Sequence, residues 1–380
     1  MPVQFHWALC SFNAGDGHHA NPKVPERPAT LDYLTRVARA AEDAGCVNIL
    51  VPTGTHCVDA WQTAAALATR TRKIKFLVAF RPGLVGPVLA AQQANTLDYL
   101  TGGRLSLNVV SGANSADLRR YGYHAAHDER YDCTEEFLEV VMRIWEEKGP
   151  VTHEGRFFKI EGAHVWPPRH TKPHPDIFLA GSSESAKRVA ARFGDVHVFF
   201  AYEPETVAKD VEEVSRLAAE QPRARPLEFG VRHCICVRET KEEARRAAER
   251  MIEGSDLGNT ATWADSVRMT ESTSQRRINE MASRNPSYWL TETIWMGINK
   301  VRGGGATMFV GTPDMVAGQI RAYVHAGVAH FIMHGYPYLE EAGIFGREVL
   351  PLLRDLDPVI LPEPPAPAEP GAAGAAARQA

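Results

Sequence analysis

Eight times along the chain a short, almost wholly apolar, β-rich run is followed by a stretch with apolar residues at helical spacing, and this alternation constrains the fold more than any other feature. The runs fall at 5–12, 47–51, 74–80, 105–110, 177–180, 196–200, 229–237 and 330–333. Strands apolar on both faces belong to a parallel sheet covered on both sides, because a solvated face brings polar alternation. Helical spacing marks 29–44, 60–68, 88–99, 135–145, stretches opening near Glu184, after Phe200 and near Thr240, then 319–325 and 341–352. Eight such units predict an α/β chain closed into a (β/α)8 barrel. No G-x-G-x-x-G follows the first strand, which counts against an open doubly wound sheet.

Two stretches break the rhythm. One, near 151–175, holds a strand-like pair around Gly155 and then Pro167-Pro168. The other, 254–307, ends in Val301-Arg302-Gly303-Gly304-Gly305. A glycine triplet beside an arginine reads as a mobile lid, or as a structured helix pair with a flexible join. The expected organisation is one barrel over 1–360 carrying these two insertions, with a Pro/Ala-rich tail at 361–380 expected to be disordered.

The totals exclude several partners. A net charge of -4 gives no compositional support for nucleic acid, so an anionic ligand must be met by local arginines. No apolar run reaches the roughly 20 residues of a membrane span, and the first residues lack the pattern of a secretory leader. A cytoplasmic protein is expected. Six scattered cysteines (Cys10, Cys46, Cys57, Cys133, Cys234, Cys236) suit reduced thiols better than a disulfide framework. Cys234 and Cys236 alternate onto one strand face and lack the second pair a metal site needs, so no metal is expected.

In a barrel of this kind ligands meet the C-terminal strand ends and the loops after them. The second strand runs into Pro52-Thr53-Gly54-Thr55-His56-Cys57, the third into Arg81-Pro82-Gly83, and the fourth covers Asn108 to Gly112. After the fifth comes Gly181-Ser182-Ser183-Glu184, where a helix begins. A glycine and two hydroxyls at a helix start offer N–H groups and the positive dipole end to a phosphate. Ser183 reads equally as an ordinary serine N-cap.

Six blocks, in order from about Phe5 to Leu353, carry a resemblance. They are Val51-Pro52-Thr53-Gly54, 76–84 (Phe-Leu-Val-Ala-Phe-Arg-Pro-Gly-Leu), Ala180-Gly181-Ser182-Ser183, Phe229-Gly230-Val231-Arg232, Val301-Arg302-Gly303-Gly304 and 335–342 (Gly-Tyr-Pro-Tyr-Leu-Glu-Glu-Ala). Together they resemble the FMN-dependent alkanesulfonate monooxygenases of the bacterial luciferase-like flavin enzymes. That resemblance implies a barrel of the luciferase type, reduced FMN supplied by a separate NAD(P)H-dependent flavin reductase, and O2 and an organosulfonate as co-substrates. Sulfite and an aldehyde are the implied products, and a homo-oligomer (dimer or tetramer) the implied assembly. Residue by residue, Cys57 matches the family's active-site cysteine, Arg232 a strand-end arginine, Arg302 a lid arginine and Tyr336 an active-site tyrosine. Gly181, Ser182 and Ser183 match the FMN phosphate loop, and Asn108, Ser111 and Tyr131 fall where the family contacts the flavin. A sulfonate is a permanent anion, and a guanidinium offers it two parallel N–H donors, which suits Arg232 and Arg302 as clamp and latch.

The chain departs from that family at the substrate end. The family's T-H-G-D is Asn13-Ala14-Gly15-Asp16, its R-L-H is Arg232-His233-Cys234, and the serine before its G-Y-P is His334. Its T-W after the sixth strand is Phe199-Phe200, with Tyr202 close behind. One inward histidine is lost and another gained, and His334, Tyr202 and Phe200 become candidate substrate residues. Added hydrogen-bonding capacity favours a hydroxylated sulfonate, sulfoquinovose, over a simple alkanesulfonate. Two other readings keep the fold: deazaflavin F420 with hydride transfer, and a non-catalytic flavin or sulfonate binding protein.

Overall fold

A computed structural model describes residues 2–11, 15–20, 24–112, 115–223, 225–253, 271–301 and 307–357. Eight parallel strands form its centre: β1 (Gln4–Ala8), β2 (Asn48–Val51), β3 (Lys75–Phe80), β4 (Leu105–Val109), β5 (Asp176–Ala180), β6 (Val196–Phe200), β7 (Glu228–Val237) and β8 (His330–His334). Each pairs with the next, and β8 pairs back onto β1, so the eight close into a barrel. The predicted (β/α)8 fold is therefore the observed one.

Local chemistry starts the outer helices. Thr30, Asp59, Ser183, Thr240 and Thr312 each accept the backbone N–H three residues on, satisfying a donor that the first helical turn leaves orphaned. Several boundaries differ from the sequence reading. The first strand stops at Ala8 instead of running on to 12. The helix expected at 135–145 begins two turns earlier and covers His127–Glu146. Its opening is hidden because Ala126 cannot cap and residues 127–130 are all polar. The helix expected at 319–325 begins at Pro313, behind the Thr312 cap. The last helix is Tyr338–Ile344, followed by irregular turns to Leu356.

Between the fourth helix and β5 an antiparallel hairpin pairs Val151–Glu154 with Lys159–Ala163. Between β7 and β8 stand helices Lys241–Arg250, Thr273–Arg284 and Pro313–His325. A strand at Met308–Gly311, which the sequence reading missed, pairs with the outer half of β7. Among the described residues no helix is long and apolar enough to cross a membrane. No disulfide joins any two of the six cysteines.

The closed end of the barrel holds a polar chain. Asn48 Nδ2 lies 3.1 Å from His6 Nδ1, His6 Nε2 lies 3.1 Å from His330 Nδ1, and His330 Nε2 lies 2.6 Å from Glu228 Oε2. Phe178 meets both imidazoles edge-on from across the barrel. Gly230 makes room for this: a Cβ there would stand 3.0 Å from the His330 Cβ. Burial first, then His330 and Lys75, push the His6 imidazole well below its usual value, so the His6 ring is neutral.

On the outer face of β7, His233 is fully buried, stacked 4.0 Å from Phe309, and neither ring nitrogen has a hydrogen-bond partner among the described residues. Burial lowers its pKa to about 3. Unfolded, the ring takes a proton below about 6.5; folded, it resists until about 3. The folded state thus loses stability as pH falls through that window, by about 1.4 kcal/mol per pH unit. His233→Leu is expected to flatten that slope and move the acid-unfolding midpoint to lower pH, read by circular dichroism. A midpoint equal to wild type would show that the ring is hydrated in solution.

Candidate active site

Over the C-terminal strand ends lies a cavity of about 280 Å³. Its floor is built from two successive rows of side chains fixed by strand register. Phe200 of β6 stands beside Arg232 of β7, which stands beside Ile332 of β8, and Ala180 of β5 stands beside Val198 of β6. Leu50 and Asn108 complete the floor from β2 and β4. Because side chains alternate along a strand, residues two apart share the inner face, so one layer collects matched positions from neighbouring strands.

Two helix N-termini meet at the rim. Ser183 caps Glu184–Phe193 and Ser272 caps Thr273–Arg284; Ser182, Ser183, Ser272, Thr273 and Ser274 all line the cavity. The two segments touch, with Ser182 Oγ 2.8 Å from Ser274 Oγ. Each N-terminus carries roughly half a positive charge and unsatisfied N–H donors. Gly181 precedes them at φ +143, a conformation that side chains rarely adopt. Tyr131 and His127, on the first two turns of their helix, line the cavity next to Gly181 and Ser183, together with Ser111 and Gly112. Burial raises the Tyr131 phenol, while Ser183 and Ser111 hold it back by hydrogen bonding, so it stays a neutral donor. Among the described residues no group of His, Cys, Asp and Glu is placed to hold a metal ion.

Beside this cavity three successive loops are tied by charge. Arg81 Nη2 lies 2.7 Å from Asp117 Oδ2, and the Thr55 hydroxyl donates to Asp117 Oδ1 at 2.5 Å. Burial pushes the Asp117 carboxyl up, but Thr55 and Arg81 outweigh it and hold it below the ordinary value. The network steadies the turn in which the half-buried Cys57 donates its N–H to the Gly54 carbonyl at 3.0 Å.

The sixth and last strand ends hold the residues that set this chain apart from the alkanesulfonate pattern. His334 is 2% exposed, pairs in register with Cys234, and brings Nε2 within 3.2 Å of the Cys234 Sγ. Its ring stacks on Tyr338 at 4.9 Å and meets Tyr336 edge-on at 5.5 Å. Pro337 gives the following helix no capping side chain; Asp16, from the loop after β1, supplies the acceptor to the Tyr338 N–H at 3.0 Å. Tyr202 is fully buried, and its hydroxyl donates to the Ser274 carbonyl at 3.1 Å.

The structure therefore gathers Asn108, Ser111, Tyr131, Gly181, Ser182, Ser183, Phe200 and Arg232 around one cavity. Tyr202 does not join them: it holds the Ser274 wall from behind instead of facing a ligand. Tyr336 and His334 lie together in an aromatic cluster, and Cys57 sits in the neighbouring loop. Arg302 lies outside the described residues. The sequence reading missed His127 and the 272–274 wall. Ser272-Thr273-Ser274-Gln275 fits the S-x-x-Q capping signature, a helix-start signal that was available.

A closed parallel barrel whose cavity lies over the C-terminal strand ends, rimmed by helix N-termini, defines a (β/α)8 protein of the ligand-binding type. Residues 3–330 match the Luciferase-like monooxygenase family, and the chain belongs to that family. Solved structures share the fold. One is the EDTA monooxygenase EmoA from Chelativorans sp. BNC1, 22% identical, with 95% of each chain covered and a TM-score of 0.74. Another is the riboflavin lyase RcaE with modified FMN and riboflavin, 20% identical over 96% of this chain and 93% of that one, TM-score 0.77. A third is DmoA from Hyphomicrobium sulfonivorans, 20% identical over 94% and 89%, TM-score 0.75.

Proposed function

We propose that this chain uses reduced FMN and O2 to cleave the C–S bond of an organosulfonate, releasing sulfite and an aldehyde, with sulfoquinovose the substrate that suits it best. One observation carries the reading: a single cavity joins two serine-capped helix N-termini to Arg232. The first feature suits the FMN phosphate, and the second suits a sulfonate. The residues fit FMN in other respects too. Leu50, Val110, Val198 and Ile332 give an apolar bed for a ring system, and Asn108 adds a polar edge. Modified FMN in the riboflavin lyase supports placing a flavin in this barrel.

Reduced FMN, once bound, supplies the two electrons that make O2 reactive toward carbon. The overall balance is R–CH2–SO3⁻ plus FMNH2 plus O2 giving R–CHO, SO3²⁻, FMN, water and a proton. Ser182 and Ser183 would hold the phosphate, and Tyr131 and Ser111 would offer hydrogen bonds to the flavin. Arg232 would hold the sulfonate oxygens within the same cavity. The apolar side chains Leu50, Val110, Val198 and Ile332 would help keep bulk water from the reacting groups. An NAD(P)H-dependent flavin reductase is the partner this scheme needs, and Arg302 is the lid arginine it assigns.

Sulfite release measured with a reductase, NAD(P)H and O2 tests the proposal across sugar and alkyl sulfonates. Wild type is expected to turn over sulfoquinovose faster than hexanesulfonate or octanesulfonate. His334→Ser, which restores the alkanesulfonate residue, is expected to shrink that preference by about tenfold. Faster turnover of hexanesulfonate by wild type would replace sulfoquinovose with a simple alkanesulfonate. Flavin binding with no sulfite from any sulfonate would reduce the protein to a flavin-binding role.

A further inference from the structure

We propose that His127 is a cofactor-binding residue that meets the FMN phosphate as an imidazolium, so that the protein takes up a proton as reduced FMN binds. The inference rests on the FMN reading above and adds to it a group that selects the phosphate and couples its binding to pH. His127 lines the cavity together with Ser182, Ser183 and Ser272. It stands four residues before Tyr131, so the two rings share one face of their helix, 5.1 Å apart. The Tyr131 phenol is hydrogen-bonded to Ser183, the cap of helix Glu184–Phe193. The imidazole is thereby held beside the same rim.

One ring nitrogen is already engaged. Nδ1 lies 2.9 Å from Asp128 Oδ1, and the same oxygen accepts from the Ser185 hydroxyl at 3.0 Å. His127 first, then Ser185, hold the Asp128 carboxyl below its ordinary value, so it is an ionised acceptor with no hydrogen to give. The hydrogen between Nδ1 and Oδ1 therefore belongs to the ring. A neutral His127 carries its single hydrogen there and leaves Nε2 bare. A bare nitrogen repels a phosphate oxygen, because both bring a lone pair. Only the imidazolium donates from both nitrogens, to Asp128 with one and to the phosphate with the other. Ser185 lies in the first turn of helix Glu184–Phe193, so Asp128 also ties the ring to that helix.

The surrounding charges set the coupling. His127 is the first residue of helix His127–Glu146, whose positive end disfavours a cation, and Ala126 supplies no capping side chain. Among the described residues, the charged and titratable groups around the ring are Asp128, Arg130 and Tyr131 on its own helix, Arg188 from helix Glu184–Phe193, and Glu271 from the segment before Thr273–Arg284. Burial pushes the Glu271 carboxyl up, while Ser115, Arg130 and lastly His127 hold it below its ordinary value. That carboxylate is engaged by Arg130 at 2.7 Å and by the Ser115 hydroxyl. A phosphate dianion brings further negative charge to this rim, and histidine is the side chain of the set able to answer by taking a proton near neutral pH.

Anaerobic titration calorimetry of reduced FMN and reduced riboflavin, in buffers of different ionisation enthalpy, counts the protons exchanged on binding. At about pH 7.5 the phosphate is already a dianion, its second ionisation lying near 6, so uptake seen with FMN and not with riboflavin comes from the protein. Wild type is expected to take up about half a proton or more with reduced FMN beyond what it takes up with reduced riboflavin. In His127→Gln that difference should vanish, and reduced FMN should bind about tenfold more weakly, the loss of one charge-assisted hydrogen bond. Binding of reduced riboflavin should not change. His127→Lys, which is charged throughout, should keep most of the FMN affinity and show no extra uptake, a rescue that a purely structural ring would not give. Equal uptake with the two flavins in wild type, or wild-type FMN affinity in His127→Gln, overturns the proposal. Equal affinities of wild type for the two flavins would instead take the phosphate away from this rim and sink the cofactor placement on which the inference rests. Absence of sulfite from every sulfonate would sink the sulfonate reading alone, and the calorimetric result would still decide the role of His127.

Discussion

Replacing Arg232 with alanine is expected to lower kcat/KM for sulfite release by about 100-fold or more while leaving reduced-FMN affinity within about threefold of wild type. The asymmetry follows from where the charges meet. In the proposed arrangement the phosphate would meet the helix N-termini at the rim, whereas Arg232 stands in the floor between Phe200 and Ile332. Two charge-assisted hydrogen bonds to a sulfonate, each contributing roughly 1.5–3 kcal/mol, account for a loss of that size. Arg232→Lys keeps the charge but not the planar fork and is expected to fall between the two. Stopped-flow titration gives the flavin affinity, and sulfite assays give the turnover. An alanine variant that turns over normally would leave Arg232 a structural residue and remove the sulfonate from this end of the cavity.

The barrel was legible because its signal is repeated. Eight apolar runs alternating with helical spacing leave few folds open, and misjudged ends, such as a helix starting at His127 and not at 135, do not change the closure. Strand-end residues were legible for the same reason: alternation fixes which positions face inward, and Arg232, Asn108 and Phe200 fall on that face. Tyr202 shows where the reasoning stops. It follows β6 by two residues, but the chain has left the strand, and the hydroxyl turns to the Ser274 carbonyl. The 272–274 wall was hidden for another reason. It joins the cavity through a contact 92 residues apart in sequence, Ser182 to Ser274, which no local pattern encodes. The strand at Met308–Gly311 was likewise obscured, because it lengthens β7's neighbourhood instead of adding a ninth repeat.

The flavin end gives the other large effect. Gly181→Val is expected to weaken reduced-FMN binding by about 100-fold and to change reduced-riboflavin binding far less. At φ +143 a side chain is strained, and a Cβ would stand 2.6 Å from the Ala186 Cβ and 3.0 Å from the Tyr131 hydroxyl. Ala186 belongs to the first turn of the helix capped by Ser183, so the clash displaces the N–H donors proposed to meet the phosphate. Riboflavin carries no phosphate and has less to lose. For the same reason wild type is expected to bind reduced FMN more tightly than reduced riboflavin. Fluorescence titration of both flavins against both proteins gives the four affinities, and thermal denaturation shows whether the valine variant is folded. The barrel core lies beneath the loop, so a lower but cooperative melting transition is expected. Equal affinities of the wild type for the two flavins would take Gly181, Ser182 and Ser183 out of the cofactor site. A folded valine variant that binds FMN like wild type would do the same, and would leave the paired helix N-termini as a purely structural seam.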